Sequence, residues 1–413
     1  MSIGVHPWFN LRVFAVPKTM RAVVYRGVND LRLETVPVPH VGPHELLVRV
    51  AVCGVCPTDI KKILHGTVPP PRIFGHETAG TIVKIGGNRT SLEIPSPIGW
   101  ERVVPPSRDR VRVGDRVALH HHVPCLDCHF CRHRAFAQCA TYKRTGITAG
   151  FDPAGGGYAE YVRVLPFVLP GVVKIPAKNS FDEGAMLEPV NTVLKAVKRL
   201  SLLPGDTVLV AGQGPIGLMF TKLLQLRGVN VLATDLLAAR LRLAKKFGAR
   251  WALNAAEVAA ALRLRDLQPQ IRSRSLQAAS PVRDLKVAAT GPGLDAAVVA
   301  VPSDAVVQQA LQLVRGGGQV LLFAHTKRKT NHQSPMTNYE LDFSSICLDE
   351  KDLIGRYSSD FTLQREVARL VFTRQLDVRR LITHRFPLEQ TAAAVALAAQ
   401  PAGDSLKIMV TQS

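Results

Sequence analysis

Short apolar runs separated by glycine and proline dominate the first part of the chain, from residue 20 to about residue 185. The runs are rich in Val, Leu and Ile, and such runs bounded by turn residues are typical of β-strands. They lie at residues 21–25, 31–35, 45–50, 80–85 and 115–119. The pattern therefore predicts a β-rich domain.

The rhythm changes at about residue 191, where apolar strands begin to alternate with helices. Apolar runs predict strands at residues 207–211, 229–234, 294–300 and 319–323. Intervening segments predict helices at residues 215–227, 236–247 and 305–314. Because apolar strands that alternate with helices are covered on both faces, we expect a doubly wound parallel sheet.

The tail from about residue 358 returns to mixed patterning, with helices predicted at 363–374 and 390–399 and a closing strand at 406–410. The predicted fold class is therefore α/β. The predicted organisation is an N-terminal extension at 1–19, a β-rich domain at 20–190, a sheet domain at 191–357, and a return to the first domain at 358–413. Residues 91–112 and 256–286 are typical of surface additions.

The chain is strongly basic, with a formal net charge of +20 and a sequence pI of about 10.1. A nucleic-acid partner is one interpretation of such a charge. However, Lys and Arg are spread along the chain, form no tract of five or more, and are not interleaved with aromatic residues as in a stacking platform. We therefore favour an enzyme whose basic surface attracts anions, including a dinucleotide.

The sequence also predicts where in the cell the protein is located. Its apolar runs fall short of the roughly 18 residues that span a bilayer. The first 19 residues lack the charged start and long apolar region of a secretory signal. We expect a cytoplasmic protein with no membrane partner.

Four of the seven cysteines fall within 15 positions, as Cys125, Cys128, Cys131 and Cys139. Such clustering in a chain of this size favours a metal over disulfides. Zn²⁺ takes four thiolates in a tetrahedron, and the tight spacing lets a short lobe surround it. A closed shell of four sulfurs leaves no position for a substrate, so this zinc is predicted to be structural.

A second set of metal-type residues is spread more widely. Cys56 follows a predicted strand, His76 and Glu77 are adjacent, and Glu188 comes later. One thiolate, one imidazole and one or two carboxylates can hold Zn²⁺ with a position left for substrate oxygen. Each residue also has a simpler interpretation: Cys56 could pair with Cys53, His76 could be a buried histidine, and Glu188 could cap a helix.

A glycine motif between a predicted strand and helix reads Gly212-Gln213-Gly214-Pro215-Ile216-Gly217. In this context the glycines permit a tight turn and a close approach of a pyrophosphate to the helix N-terminus. Asp235 ends the next strand, where a carboxylate accepts from ribose hydroxyls and repels a 2′-phosphate. This favours NAD over NADP, although the nearby Arg240 could soften the preference.

Together these motifs resemble the zinc-dependent medium-chain dehydrogenases, the superfamily of alcohol, sorbitol and threonine dehydrogenases. The resemblance covers nearly all of residues 20–412. It is carried by the two cysteine sets and the glycine motif, and by Val55-Cys56-Pro57-Thr58-Asp59, Gly75-His76-Glu77, Val113-Gly114-Asp115-Arg116-Val117, Gly156-Gly157-Tyr158-Ala159-Glu160-Tyr161 and Glu188-Pro189. It implies a GroES-like catalytic domain joined to a Rossmann domain.

The resemblance also implies roles for the residues of the second set. Cys56 and His76 would be zinc ligands, with Glu77 and Glu188 as candidates for the third. Since ordinary alcohol dehydrogenases carry cysteine where Glu188 stands, the glutamate points to the polyol and threonine dehydrogenase branch. The implied reaction moves a hydride between a secondary alcohol, polyol or hydroxy amino acid and NAD.

Two further residues take implied roles, and two depart from the family pattern. Thr58 would take the substrate proton and Asp59 would orient His76. Pro57 replaces the usual glycine, which favours an extended backbone at the preceding residue. Lys61 stands where a proton-relay histidine is common, so the onward path of the proton stays open.

The departures leave alternatives open. One is a zinc-free relative of the quinone reductases, against which both cysteine sets argue. Another is a non-catalytic or regulatory protein on a dehydrogenase scaffold that binds nucleic acid through its basic surface. The resemblance further suggests a homodimer or a homotetramer.

Overall fold

The structure is a computed structural model that describes residues 15–87, 89–94, 110–120, 123–144, 155–258, 293–324 and 343–412. Our expectations for residues 1–14, 95–109 and 259–286 lie outside these described ranges. Among the helices that are described, none has the length and apolar character needed to cross a membrane.

The chain divides into two compact units. The first comprises Met1–Glu188, His384–Gln400 and Lys407–Ser413, and the second comprises Pro189–Thr383 and Pro401–Leu406.

The return to the first unit, which we placed at residue 358, comes later, at His384. The buried side chain of Asn191 holds the intervening segment in the second unit. Its Nδ2 donates to the Asp360 carbonyl at 2.9 Å and to Oε1 of Gln364 at 3.0 Å. Its Oδ1 accepts from the Asp360 amide at 2.8 Å. Pattern alone could not reveal this anchor, because it is a single buried polar side chain.

The first unit is built mainly of antiparallel strands, as its alternating apolar runs predict. In chain order its strands are β1 (Thr19–Gly27), β2 (Asp30–Pro37), β3 (Leu46–Gly54), β4 (Arg72–Ile73), β5 (Glu77–Ile85), β6 (Ser91–Glu93), β7 (Arg110–Arg112), β8 (Arg116–Leu119), β9 (Tyr161–Val164) and β10 (Val172–Lys174). Its helices so far are α1 (Pro57–His65), α2 (His129–Arg132), α3 (Ala140–Arg144) and α4 (Phe181–Ala185), and α5 (Leu187–Val197) begins at its end.

The second unit is an alternation of strands and helices. Its strands are β11 (Thr207–Ala211), β12 (Asn230–Asp235), β13 (Trp251–Asn254), β14 (Leu294–Val299), β15 (Val314–Leu322) and β16 (Asp352–Gly355). Its helices are α6 (Pro215–Gln225), α7 (Ala238–Lys246), α8 (Asp304–Leu313), α9 (Phe343–Leu348) and α10 (Gln364–Phe372). The chain closes with β17 (Ile382–Pro387), α11 (Thr391–Ala399) and β18 (Lys407–Thr411).

The largest sheet of the first unit runs in the order β10-β8-β5-β3-β18-β17, with β9 also paired to β3. A smaller sheet has the order β2-β1-β4, and β6 pairs with β7. Apolar side chains from the central strands, such as Leu46, Ile82 and Val117, form one buried cluster. The central position of β3 and β5 matters below because the candidate metal ligands lie at their ends.

The sheet of the second unit runs in the order β13-β12-β11-β14-β15-β16, and every recorded pair in it is parallel. The chain order reverses between β11 and β14, and ligands of such sheets bind beyond the carboxyl ends of the strands at that reversal. This confirms the predicted doubly wound sheet. The edge strands β13 and β16 were not predicted, because they are short and only partly apolar.

Candidate metal and dinucleotide sites

Cys56, His76 and Glu77 meet where β3 gives way to α1 and β5 begins. Cys56 has an extended backbone (φ −105°, ψ 138°), as expected for the residue before Pro57. Glu77 begins β5 opposite Gly54 in antiparallel register. The Cys56 sulfur, a His76 ring nitrogen and a Glu77 carboxylate oxygen therefore lie within 4.8 Å of one another.

This donor set fits Zn²⁺ by its chemistry. Thiolate, imidazole and carboxylate are the three ligand types that zinc takes in proteins, and three protein ligands leave a fourth position for water or substrate. His76 and Glu77 are almost fully buried, at 4% and 1% exposure, while Cys56 is half-buried. Such burial strengthens any interaction with a bound cation.

Asp59 is the electrostatic partner of His76. Its Oδ2 lies 3.0 Å from Nδ1 of His76, and both side chains are buried. Burial works against both charges, but their mutual attraction outweighs it: the pKa of Asp59 falls, and the pKa of His76 rises well above its usual value. Since Nδ1 is engaged by Asp59, Nε2 is the nitrogen left for a metal.

Lys407 is a site residue that the sequence analysis missed. Its buried ammonium forms an ion pair with Oε2 of Glu77 and donates to the Val55 carbonyl at 2.9 Å. Burial lowers the pKa of Lys407, but the charge of Glu77 outweighs it and the pKa is raised. The sequence feature that could have revealed Lys407 is the presence of a lysine at the start of the apolar strand β18.

Gly54 makes room for this ion pair. A Cβ atom at residue 54 would lie 1.9 Å from Oε2 of Glu77 and 2.9 Å from Cε of Lys407. Both distances are shorter than the contacts that Cβ atoms make in real proteins. Only glycine therefore fits here without displacing the ion pair of Glu77 and Lys407.

Glu188 lies outside the set of three ligand atoms but within its electrostatic reach. It stands in the first turn of α5 and is 5% exposed. Burial raises the pKa of Glu188 to about 7, and the charge of Glu77 acts in the same direction, while His76 and Lys407 oppose them. A carboxyl group poised near neutrality can exchange a proton at physiological pH.

Thr58 and Lys61 lie one turn apart on α1, and both are half-buried. Thr58 is in the first turn, two residues beyond Cys56. Burial lowers the pKa of Lys61. The helix thus carries a hydroxyl and an amine on neighbouring turns immediately after the candidate ligand Cys56.

The four clustered cysteines come together on a lobe of short elements around α2. Sulfur–sulfur distances are 3.8 Å for Cys125–Cys131, 3.5 Å for Cys128–Cys131 and 3.6 Å for Cys125–Cys139. A tetrahedron with Zn–S bonds of about 2.3 Å has sulfurs about 3.8 Å apart. The arrangement therefore fits a zinc ion bound by four thiolates.

Backbone amides of the same lobe point at its sulfurs. The Cys125 amide donates to the Cys139 sulfur, and the Cys128 amide donates to the Cys125 sulfur, both at 3.4 Å. Burial raises the pKa of Cys139, but hydrogen bonds from the Cys125 and Tyr142 amides and from neighbouring thiols outweigh it and bring the value to about 6. A thiol that ionises so readily is suited to metal binding.

The glycine motif forms the turn between β11 and α6. Gly212 has φ of +93°, a conformation open to glycine. A Cβ atom on Gly217 would lie 1.7 Å from the Gly212 carbonyl oxygen, so the turn and helix pack too closely for any side chain there. Pro215 is the first residue of α6, and Ile216 is the second. A backbone N–H at the first position would have no partner within the helix, so proline loses no hydrogen bond there. A Cβ on Gly214 would meet open space, which leaves room above the helix N-terminus.

Asp235 lies beside this turn at the carboxyl end of β12. Its Oδ2 accepts from the Gln213 amide at 2.7 Å, and its Oδ1 accepts from the Leu237 amide at 2.9 Å. Nη1 of Arg240 lies 3.9 Å from Oδ2, and Nη2 donates to the Ser405 carbonyl at 3.3 Å. Each carboxylate oxygen retains a lone pair with which it can accept from a ribose hydroxyl.

Two family profiles match this chain. The alcohol dehydrogenase GroES-like domain matches residues 42–177, and the zinc-binding dehydrogenase profile matches residues 215–372. The first range contains Cys56, His76, Glu77 and the cysteine quartet, and the second contains Asp235 and Gly217.

Individual proteins are similar over most of their length. The sorbitol dehydrogenase of Bacillus subtilis is 28% identical over 401 residues, covering 96% of this chain and 98% of that protein. A probable D-xylulose reductase A of Aspergillus clavatus is 27% identical over 372 residues, covering 87% and 88%. A zinc-binding dehydrogenase structure from Sinorhizobium meliloti with NADP bound has a TM-score of 0.74 at 24% identity, covering 96% and 100%.

These similarities agree with the geometry of both units and give no support to a nucleic-acid-binding alternative. The predicted fold, with its GroES-like and Rossmann domains, is confirmed, and so is the expected use of zinc and a nicotinamide cofactor. The chain belongs to the zinc-dependent medium-chain dehydrogenases, and it is an oxidoreductase of the alcohol dehydrogenase type.

Proposed function

We propose that this enzyme oxidises a secondary hydroxyl of a polyol with NAD and reduces the corresponding ketose in reverse. The convergence of Cys56, His76 and Glu77 within 4.8 Å carries the proposal. The names of the similar proteins, sorbitol dehydrogenase and D-xylulose reductase, support a polyol over a simple alcohol or a hydroxy amino acid.

In this proposal Cys56, His76 and Glu77 hold the catalytic zinc. A bound zinc supplies Lewis-acid polarisation of the substrate oxygen. Glu77 is favoured over Glu188 as the third ligand because only Glu77 belongs to the close set. Asp59 fixes the ring of His76, and Lys407 fixes the Glu77 carboxylate. Glu188, with its pKa near 7, holds or releases a proton beside them.

We assign the first proton transfer to Thr58, whose hydroxyl follows the ligand Cys56 on α1. Lys61 is the proposed next carrier because it lies one turn further along the helix and is half-buried. Burial lowers the pKa of Lys61, which brings the amine nearer to the range in which it can accept a proton.

The Gly212–Gly217 turn is the proposed pyrophosphate site, and Asp235 is the proposed ribose partner. The Asp235 carboxylate would repel a 2′-phosphate, which supports NAD over NADP. Arg240 is the residue that would weaken this preference, since Nη1 lies 3.9 Å from Oδ2 of Asp235.

The second zinc is proposed to be structural and bound by Cys125, Cys128, Cys131 and Cys139. The match between the observed sulfur spacing and a tetrahedral shell supports it.

A homodimer or homotetramer is the proposed assembly. Consecutive elements of the second unit expose apolar side chains: Phe343 and Leu348 of α9 are 72% and 82% exposed, and Leu353 of β16 is 38% exposed. Such clustering at a sheet edge is typical of an interaction surface. Light scattering on the purified chain measures the assembly directly.

The deciding experiment is a rate survey with sorbitol, xylitol, a simple secondary alcohol and L-threonine, each with NAD and NADP, alongside zinc analysis. We expect the polyols with NAD to give the highest kcat/KM and the protein to carry two zinc ions per chain. A clear preference for threonine or for the simple alcohol would contradict the polyol assignment.

Asp235→Asn tests the cofactor assignment. Asparagine removes the charge but its side-chain oxygen can still accept from a backbone amide. We expect a drop of about tenfold in kcat/KM for NAD relative to NADP, comparable to the loss of one charge-assisted hydrogen bond. Glu257→Gln, which removes an exposed carboxylate from the same unit, should leave the ratio unchanged. An unchanged ratio in both variants would remove Asp235 from the cofactor site.

A further inference from the structure

Gln213 occupies the second position of the glycine turn, and its side chain has no role in the proposed reaction. Whereas a Cβ atom on Gly214 would meet open space, the side chain of Gln213 is 0% exposed. It therefore has no surface with which to contact a cofactor bound above the turn. A buried amide group needs both a donor and an acceptor as partners, so its partners show which parts of the protein it holds together.

The side chain of Gln213 joins the strand before the turn to the helix after it. Its Nε2 donates to the Val210 carbonyl of β11 at 2.9 Å. Its Oε1 accepts from the hydroxyl of Thr221, in the second turn of α6, also at 2.9 Å. Thr221 is likewise 0% exposed. One buried side chain thus fixes the positions of β11 and α6 relative to each other.

The same amide group packs against the start of α6. A Cβ atom on Gly217 would lie 3.7 Å from Nε2 of Gln213, which is ordinary van der Waals contact. Gly217 stands in the first turn of this helix, where the free N–H groups of a helix attract an anion. A change in the position of the Gln213 amide would therefore move the groups that face a pyrophosphate.

The backbone of Gln213 holds the proposed ribose partner. Its amide donates to Oδ2 of Asp235 at 2.7 Å, at the carboxyl end of β12. The preceding amide, of Gly212, donates to the Thr234 carbonyl at 2.8 Å. Through its side chain and its backbone, Gln213 is thus bonded to β11, to α6 and to the carboxylate that follows from β12.

We propose that Gln213 is a positioning residue that fixes the pyrophosphate turn and the Asp235 carboxylate at the spacing a nicotinamide dinucleotide requires. This role rests on the proposed function, because it presupposes that the turn and Asp235 bind the cofactor. Glycine leaves the backbone of a turn unusually free, and ordering a mobile segment on binding lowers affinity. The buried hydrogen bonds of Gln213 order the turn in advance, so they raise affinity without any contact to the cofactor.

The test is fluorescence titration of the full-length enzyme with NADH, well below the thermal midpoint of each variant. Thr221→Val keeps the shape of the buried side chain but removes the hydroxyl that donates to Gln213. We expect its Kd for NADH to rise about three- to tenfold, as for one lost hydrogen bond. Thr221→Ser keeps the hydroxyl and should return the Kd close to the parent value. Gln213→Met removes both side-chain hydrogen bonds and should raise the Kd about tenfold or more.

Thr391→Val is the matched control. Thr391 is also 0% exposed, but it lies in the first unit, and its hydroxyl donates to the Leu388 carbonyl at 2.6 Å. Losing this hydrogen bond should lower the thermal midpoint, as Thr221→Val does, and leave the Kd for NADH unchanged. If Gln213 only stabilised the fold, Thr221→Val would behave in the same way as this control.

Three outcomes would overturn the positioning role: an unchanged Kd in Thr221→Val, an equal rise in Thr391→Val, or no recovery in Thr221→Ser. If Gln213→Met does not fold, the two Thr221 variants decide alone. A parent enzyme that does not bind NADH would overturn the proposed cofactor site and this role with it. Binding by the parent with an unchanged Kd in Thr221→Val would overturn the role of Gln213 alone.

Discussion

The two candidate zinc sites of the first unit are supported in different ways. Cys56, His76 and Glu77 lie at the ends of central strands, and protein groups already hold two of them. Asp59 lies 3.0 Å from His76, and Lys407 pairs with Glu77. The cysteine quartet lies on a lobe whose regular structure is a four-residue helix, a short turn and α3.

This difference in how the ligands are held predicts a different contribution from the metal at each site. A site whose ligands are positioned by a sheet and by ion pairs does not need the ion for its shape, so we propose that its metal would serve chemistry. A lobe made of a few short elements would gain folding energy from metal binding. Losing a ligand should therefore cost activity at the first site and stability at the second.

Cys56→Ser is expected to have the largest effect. It removes a thiolate from the first site, and the loss of several kcal/mol of Lewis-acid stabilisation corresponds to a fall of about 10³-fold or more in kcat/KM. The thermal midpoint should hardly change. Initial rates measure kcat/KM, and circular dichroism measures the thermal midpoint. Cys347→Ser, at an exposed cysteine of α9, is the control and should keep full activity. Full turnover by Cys56→Ser would contradict the assignment.

Cys128→Ser should show the opposite pattern. We expect the loss of one zinc per chain and a lower thermal midpoint, at roughly 2–4 °C for each kcal/mol lost. The folded fraction should retain its kcat. Metal analysis and calorimetry make the comparison. If Cys56→Ser and Cys128→Ser lowered the midpoint equally, the contrast between the two sites would fail.

Asp59→Asn sharpens the account of the first site, because asparagine keeps the shape but loses the charge that holds His76. Replacing such a partner of a ligand typically costs about 10–100-fold in metal affinity or activity. Chelator competition measures the zinc affinity. Asp127→Asn, at a side chain 94% exposed in the cysteine lobe, is a matched change that should leave both zinc affinities unaltered.

Glu188→Gln is expected to have the smallest effect, visible in the pH dependence of metal-free protein. Burial raises the pKa of Glu188 from its usual 4.5 to about 7, so between these values the folded state binds more protons than the unfolded state. This stabilisation is complete below pH 4.5 and is lost as the pH rises through 7. Urea unfolding across this range should show a shallower decline in the variant.

Glu257→Gln, at an exposed position, is the control and should follow the parent curve. An identical decline in Glu188→Gln and the parent would show that Glu188 does not titrate in this range.

The fold and most residues of the candidate sites could be predicted from sequence because they rest on local signals. Buried apolar strands marked the sheet of the second unit, and Cys56 and His76 stand in contiguous motifs. Lys407 could not be predicted, because the chain brings it to Val55 across 352 positions. The boundary at His384, where the chain returns to the first unit, could not be predicted from local pattern either. An amphipathic helix such as α10 can pack against the core of either unit.

A substitution of Gly54 would separate the effect of the position of the Glu77 carboxylate from the effect of its charge. Any substitution of Glu77 changes its charge, its length or its hydrogen-bonding capacity. A methyl group at residue 54, by contrast, would fall 1.9 Å from Oε2 of Glu77 and push the carboxylate aside while every ligand kept its chemistry. Gly54→Ala thus acts as a steric displacement of about 1 Å or more, applied from the neighbouring strand.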